Sequence, residues 1–544
     1  MRSIGILLVV SVLFSSMLTA QADQRSNQLF EQVSVYRSWW DLKQYDLELF
    51  IDPENHFISG SNRITFTAID TQNLLQLDLQ QPMRIDSITD INGAALRFEK
   101  QEISYLIETP KLTKGSVGEL IVYFSGNPKT AQNAPWDGGV VWSSDQNGTP
   151  LIATANQGIG SSIWWPNKDH AYDEPENGAT VTLNVPKGLT AVSNGRLTLY
   201  NQSEHSNTFV WEVKNPINNY AISFNIAAYA YFNSSYNGLS GTLDLDYYVL
   251  PENLGKAQEQ FKQVPLLLEA FEYWFGPYPF YEDGFKLIEV PYLGMEHQSA
   301  VTYGNEYRNG YRGTDLSGTG HGLLFDFIII HEAGHEWFAN SLTANDNAYL
   351  WLQEGFTAYS ESLYLEYHYS KKEAFEYLIG TRKRIENKRP MVGPKGVRYD
   401  PPGDIYYKGA NVLHTLRMLV DDDTKWRSLL RAIQKEFYHS VVSSEAVEQF
   451  IAKELNLDLT LFFEQYLRQS ELPKLELQQE GKQLRFKFEE VVDRFEMPVR
   501  LFIGKEPMWI RPTTEWKTIS IERNKSIEVD QNFLVNATLS YKFQ

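Results

Sequence analysis

Between residues 45 and 232 the chain alternates apolar and polar side chains in short runs. Asp46-Leu47-Glu48-Leu49-Phe50-Ile51, Arg63-Ile64-Thr65-Phe66-Thr67, Glu119-Leu120-Ile121-Val122-Tyr123-Phe124 and Thr180-Val181-Thr182-Leu183-Asn184-Val185 are examples. Successive side chains of a strand point to opposite faces, so a period of two predicts strands with one buried face and an all-β first region. After about Gly255 the apolar positions recur at helical spacing, over 256–275, 322–341, 356–369, 372–386, 408–420, 424–437 and 445–455. Beyond Pro473 short strands return in Leu484-Arg485-Phe486-Lys487-Phe488, Val499-Arg500-Leu501-Phe502-Ile503 and Ile519-Ser520-Ile521. The pattern predicts a multidomain α+β chain: an all-β domain over 23–236, a helical domain over 237–470 and a small β domain over 471–544.

Residues 1–22 differ from the rest. Arg2, an apolar stretch from Ile4 to Leu18 and the small-x-small end Ala20-Gln21-Ala22 have the form of a secretory signal peptide. The stretch is shorter than the ~20 residues a membrane span needs, so a retained anchor is the lesser alternative. Export to a bacterial periplasm or the medium is expected, with no span after signal removal. The absence of cysteine excludes disulfides, thiolate catalysis and thiolate zinc ligands. The formal net charge is −19, which argues against nucleic acid as a partner.

The chemistry is concentrated in His331-Glu332-Ala333-Gly334-His335 and in Glu354, which follows the second histidine by nineteen positions with eighteen residues between. Histidines at i and i+4 lie on one face of a helix, so both imidazoles can reach one ion, and a third ligand must come from a later element. Glu354 is that candidate, giving one Zn2+ per chain. Three protein ligands leave a fourth position for water, whose pKa zinc brings to roughly 7. Glu332, beside the first ligand, is placed to take the water's proton.

These pieces, in this order, resemble the M1 (gluzincin) family of zinc aminopeptidases over nearly the whole chain after residue 22. The family's HExxH-WFGN and WxNEGFA stretches appear as His335-Glu336-Trp337-Phe338-Ala339-Asn340 and Trp351-Leu352-Gln353-Glu354-Gly355-Phe356-Thr357, with Ala339, Gln353 and Thr357 as departures. Tyr273-Trp274-Phe275-Gly276-Pro277-Tyr278-Pro279-Phe280 and Pro291-Tyr292-Leu293-Gly294-Met295-Glu296-His297 are similar to its FGxYPF stretch and its GAMEN exopeptidase motif. Leu293 and Gly294 stand where the family usually has Gly and Ala, and His297 replaces Asn.

The resemblance implies that Glu296 holds the substrate's α-amino group and that the Gly294-Met295 backbone pairs with the peptide. Gln157, ahead of Trp164-Trp165-Pro166 and Asp173-Glu174-Pro175, is implied as a second amine contact. In Tyr406-Tyr407-Lys408-Gly409, similar to the family's YxKG, Tyr406 inherits the role of oxyanion donor. The implied fold is an N-terminal β-saddle, a thermolysin-like α/β catalytic domain and a small C-terminal β-sandwich. The large C-terminal helical domain of many family members is not expected. The function so implied is a zinc metalloaminopeptidase acting on peptides with a free N-terminus. An endopeptidase or epoxide hydrolase on the same scaffold, or a non-catalytic peptide-binding module, are the alternatives.

Overall fold

The computed structural model describes residues 33–397, 399–522 and 525–542, so segment 1–22, expected from the sequence to be a signal peptide, lies outside the described residues. The chain forms two compact units, one of residues up to Tyr229 together with Pro394–Asp400, the other of Ala230–Gly393 and Pro401–Gln544.

The first unit is β-rich. A seven-stranded sheet runs in the order Arg196–Gln202, Ser206–Val213, Ala179–Pro186, Trp40–Asp52, Phe57–Ala68, Val117–Gly126, Arg84–Asp90. Its pairs are antiparallel except Trp40–Asp52 with Ala179–Pro186, where Tyr45 stands opposite Ala179 and Phe50 opposite Asn184. Leu47, Leu49 and Ile51 face inward between exposed or half-exposed neighbours, as a period of two demands. A four-stranded and a three-stranded sheet complete the unit.

In the second unit a five-stranded sheet has the order Ala230–Gly238, Gly241–Val249, Phe285–Glu289, Val301–Tyr303, Gly294–Met295. The two-residue strand Gly294–Met295 is its outermost member and pairs antiparallel with Val301–Tyr303. Helices Gln263–Phe275, Phe327–Gly334, Trp351–His368 and Asp404–Val420 pack beside it, and their apolar faces share one core. Trp274 Nε1 donates to Leu363 O at 3.0 Å, which ties the first of these helices to the third.

The C-terminal strands form a four-stranded sheet of Lys517–Ser520, Gln483–Glu489, Lys474–Glu480 and Asn536–Lys542, and a three-stranded one centred on Val499–Ile503. Leu475, Leu477, Phe486, Phe488, Val499 and Leu501 are buried in the manner of a small sandwich. These sheets are joined to the helices by Tyr466 Oη donating to Leu534 O (2.8 Å) and Leu534 N donating to Thr415 Oγ1 (3.0 Å).

Two of the departures of helix boundaries from the periodicity bear on the site. The apolar run 322–341 is helical only over Phe327–Gly334. Asp326 caps its start, accepting from Ile328 N and Ile329 N, and the chain beyond His335 opens into a wide turn in which Asn340 N reaches His335 O. The Glu354 helix, by contrast, begins at Trp351 and so includes Glu354 in its first turn.

Candidate metal centre

His331 lies on the Phe327–Gly334 helix and His335 stands at its C-cap, one turn apart on the same face. Their rings are 5.0 Å apart at 85°. The Trp351–His368 helix carries Glu354 up to them, with Glu354 Oε2 at 3.6 Å from His331 Nε2 and 3.3 Å from His335 Nε2. Close approach of the two helices is possible because Gly334 has no side chain: a Cβ there would lie 2.9 Å from Ser360 Oγ and 3.1 Å from Thr357 Cγ2. One ligand atom from each of the three residues falls within a mutual 4.8 Å, and all three residues are buried.

The donor set fits zinc. Each histidine has its Nδ1 engaged elsewhere, which leaves Nε2 as the inward donor. His331 Nδ1 lies 2.8 Å from Glu361 Oε1, and His335 Nδ1 lies 2.9 Å from Phe338 O and 3.1 Å from Thr357 Oγ1. Acceptors of this kind behind a histidine fix its tautomer and raise its basicity toward a metal. Glu361 is itself held by Tyr377 Oη at 2.6 Å. Glu361 lies outside the motifs, and Thr357 enters them only as a departure. The available signal was spacing, because Glu354, Thr357 and Glu361 are three and seven residues apart and so share one helix face.

The Phe338 carbonyl reaches His335 because the next residue, Ala339, has φ 152°, a conformation that favours glycine. This accounts for the family's Gly at that position. Two further residues of the wide turn hold the neighbouring motif. Asn340 Nδ2 donates to Glu296 O (2.9 Å), and Ser299 N donates to Glu336 Oε1 (2.8 Å).

Glu296 is thereby set beside the metal cluster. Its carboxylate, that of Glu332 and a ring nitrogen of His335 also lie within a mutual 4.8 Å. Glu332 projects from the helix between the two histidines. Burial pushes its carboxyl up to about 7, with His331 opposing and the Glu296 charge adding to the rise. Gly294 lies directly beneath: a Cβ there would meet Ile328 Cγ2 at 2.7 Å and Glu332 Cγ at 3.2 Å, so the alanine usual in the family would crowd this site. Met295 is buried in the same strand.

Tyr406 opens the Asp404–Val420 helix with its ring 6.0 Å from that of His331, in the field of Glu354. Burial, then the charges of Glu354, Glu296 and Glu332, hold the phenol well above its ordinary pKa, so it stays protonated and can donate. Tyr407 turns instead toward Glu361, Arg384 and Tyr311. His297 is fully buried, both ring nitrogens are without hydrogen-bond partners among the described residues, and burial lowers it to about 3. So deep a burial favours the neutral ring. Gln157 belongs to the first unit, half-buried in the turn after strand Pro150–Ala155.

Residues 260–466 match the Peptidase family M1 domain. Among curated proteins the chain is similar to mouse endoplasmic reticulum aminopeptidase 1, 24% identical over 290 residues that make up 50% of this chain and 30% of that protein. It is also similar to mouse aminopeptidase B, 25% identical over 337 residues that make up 58% of this chain and 48% of that protein. The chain thus spans less than half the length of these relatives. Among solved structures it is similar to an M1 zinc metallopeptidase from Deinococcus radiodurans, a mutant bound to a Tyr-Ser-Ala substrate. That likeness has a TM-score of 0.66 at 21% identity and covers 81% of this chain and 96% of the other. A further structure of the Deinococcus radiodurans M1 zinc metallopeptidase gives a TM-score of 0.63 at 22% identity over 78% of this chain and 92% of that one. With an M1 peptidase domain built around a His-His-Glu cluster able to hold one zinc ion, the chain has the fold of an M1-family zinc metallopeptidase.

Proposed function

We propose that the protein is a zinc aminopeptidase that removes the first residue from peptides with a free N-terminus. The observation that carries this reading is the position of Glu296, a buried carboxylate beside Glu332 and next to the His-His-Glu cluster. Zinc held at the cluster would draw on Glu354, and the Glu296 carboxylate beside it is of the charge and placement to take a substrate ammonium.

Zinc bound by His331, His335 and Glu354 would supply Lewis-acid polarisation of the scissile carbonyl and an acidified water. Glu332 is placed to take a proton from the attacking water and to pass it to the leaving amine. Tyr406 donates to the carbonyl oxygen as negative charge develops on it. Glu296 pairs with the α-ammonium, while the outer strand Gly294–Met295 offers its backbone edge to the peptide. The relatives named as aminopeptidases support this reading, as does the Tyr-Ser-Ala substrate of the Deinococcus protein. Residues 1–22 are proposed to direct export. No helix of the described residues is long and apolar enough to cross a membrane.

The test is release of the first residue from a peptide and from its N-acetylated form, with and without a chelator. Aminopeptidase activity requires chelator-sensitive release from the free peptide and near inertness of the acetylated one. Equal internal cleavage of both would favour the endopeptidase reading.

A further inference from the structure

One face of the ligand helix runs past the metal cluster. Phe327, His331 and His335 follow one another at i, i+4 and i+8, so they lie a turn apart on that face. Glu296 stands at the His335 end. At the other end the Phe327 ring stacks on His331, 5.1 Å away at 14°, and Tyr311 meets Phe327 edge-on at 5.5 Å. A peptide with its amine at Glu296 and its first carbonyl at the cluster would carry its second residue toward Phe327 and Tyr311.

Tyr311 is presented by a built loop. Asn305 Nδ2 donates to Gly310 O (2.8 Å) and to Asp326 Oδ1 (2.7 Å), and Asn305 Oδ1 accepts from Arg312 N (2.7 Å). Gly310 N donates to Phe325 O at 2.7 Å, and Tyr311 and Thr314 exchange two backbone bonds of 2.9 Å. Gly310 has φ 70°, and a Cβ on it would lie 2.7 Å from Thr314 O, so the turn needs glycine. The Tyr311 ring is half-exposed. Arg312, Glu332 and Arg384 all lie within electrostatic range of it.

We propose that Tyr311 and Phe327 wall the subsite for the residue after the cleaved bond, and that Arg312 and Arg384 place positive charge at its rim. The preferred substrates are then short peptides, dipeptides foremost, with an apolar or aromatic second residue and a free carboxylate. An apolar side chain gains by leaving water for two aromatic rings, and the carboxylate of a dipeptide falls near the rim arginines. This rests on the aminopeptidase reading.

The experiment measures kcat/KM of the zinc-replete protein on Ala-Phe, Ala-Gly, Ala-Phe-amide and alaninamide. Ala-Phe is expected to exceed Ala-Gly by at least ~10-fold, the scale on which an apolar pocket discriminates. That ratio should fall to within about 3-fold in Tyr311→Ala and persist in Tyr311→Phe, since the ring and not the hydroxyl makes the wall. Ala-Phe should exceed its amide by about 5-fold at low salt, and the advantage should shrink with added salt and in an Arg312→Gln/Arg384→Gln double variant. A wild-type Ala-Phe to Ala-Gly ratio near one, or a ratio that survives Tyr311→Ala, overturns the aromatic wall. An amide cleaved as well as the acid overturns the rim. Failure of the aminopeptidase reading is distinct: no alanine would be released from any of the four, alaninamide included.

Discussion

Gly355 and Gly409 press against each other where the Glu354 and Tyr406 helices cross, so closely that a Cβ on Gly409 would lie 2.9 Å from Gly355 Cα. A Cβ on Gly355 would lie 3.2 Å from Gly409 Cα. Each glycine is within one turn of a site residue, Glu354 or Tyr406. The crossing therefore sets how near the phenol comes to the metal cluster. Farther along, Arg417 clamps the same pair of helices through Glu366, with two bonds of 2.7 Å.

Gly409→Ala should force these helices apart. The expected cost is about 1–3 kcal/mol, as for other overpacked cores. Turnover should fall by ~10-fold or more because Tyr406 moves away from the reacting carbonyl. Urea unfolding and kcat measure the two effects, and a variant as stable and as active as the parent would refute the tight crossing.

Glu361→Gln removes the charge behind His331 while keeping its shape. Zinc affinity should drop by about 10- to 100-fold, the usual range for such partners. Competition with a chromogenic chelator reads this without any substrate, and an affinity equal to the parent's would show that Glu361 is only a core residue.

Glu332→Gln should retain zinc and lose at least ~10²-fold in turnover, the lower end of what a general base contributes. Tyr406→Phe should lose a comparable factor, chiefly in kcat. Tyr407→Phe should be mild, since that ring faces Glu361 and Arg384. Steady-state kinetics of the three variants settle the assignment, and a damaging Tyr407→Phe with a benign Tyr406→Phe would reverse it.

Burial holds both His297 and His414 at about 3, so each stays neutral in the folded chain through mildly acidic pH. The unfolded chain binds a proton at each below about 6.5, and stability is therefore lost as pH falls from about 6.5 toward 3. Each histidine contributes a slope of about 1.4 kcal/mol per pH unit. Between pH 7 and pH 5, His297→Asn should thus lose about 2 kcal/mol less than the parent in urea unfolding. An identical loss in parent and variant would mean that His297 titrates freely in the fold.

The ligand triad was readable in the sequence because His331, His335 and Glu354 are linked by spacing along helices, and spacing is a local property. Period-two runs exposed the strands for the same reason. What escaped depends on contacts between distant segments. The approach of Gly355 to Gly409 joins residues far apart in the chain, and neither glycine announces its partner. The end of the ligand helix at Gly334 was hidden by an apolar run that continues through Trp337 and Phe338, although the backbone there has turned to bring the Phe338 carbonyl onto His335. Glu361 and Thr357 lay within reach of helical periodicity, but the periodicity alone did not say which of their neighbours they would meet.

Asp326 caps the ligand helix and, with its other contacts, accepts from Asn305, Tyr303 and Gln260. The loop that presents Tyr311 is thus anchored to the same carboxylate that orients the first turn of the helix bearing His331. Selectivity and metal geometry are consequently inherited as one part. A loop transplanted from a relative would carry its new preference only together with its own cap, and directed evolution at this rim should favour exchanges of side chains over exchanges of length.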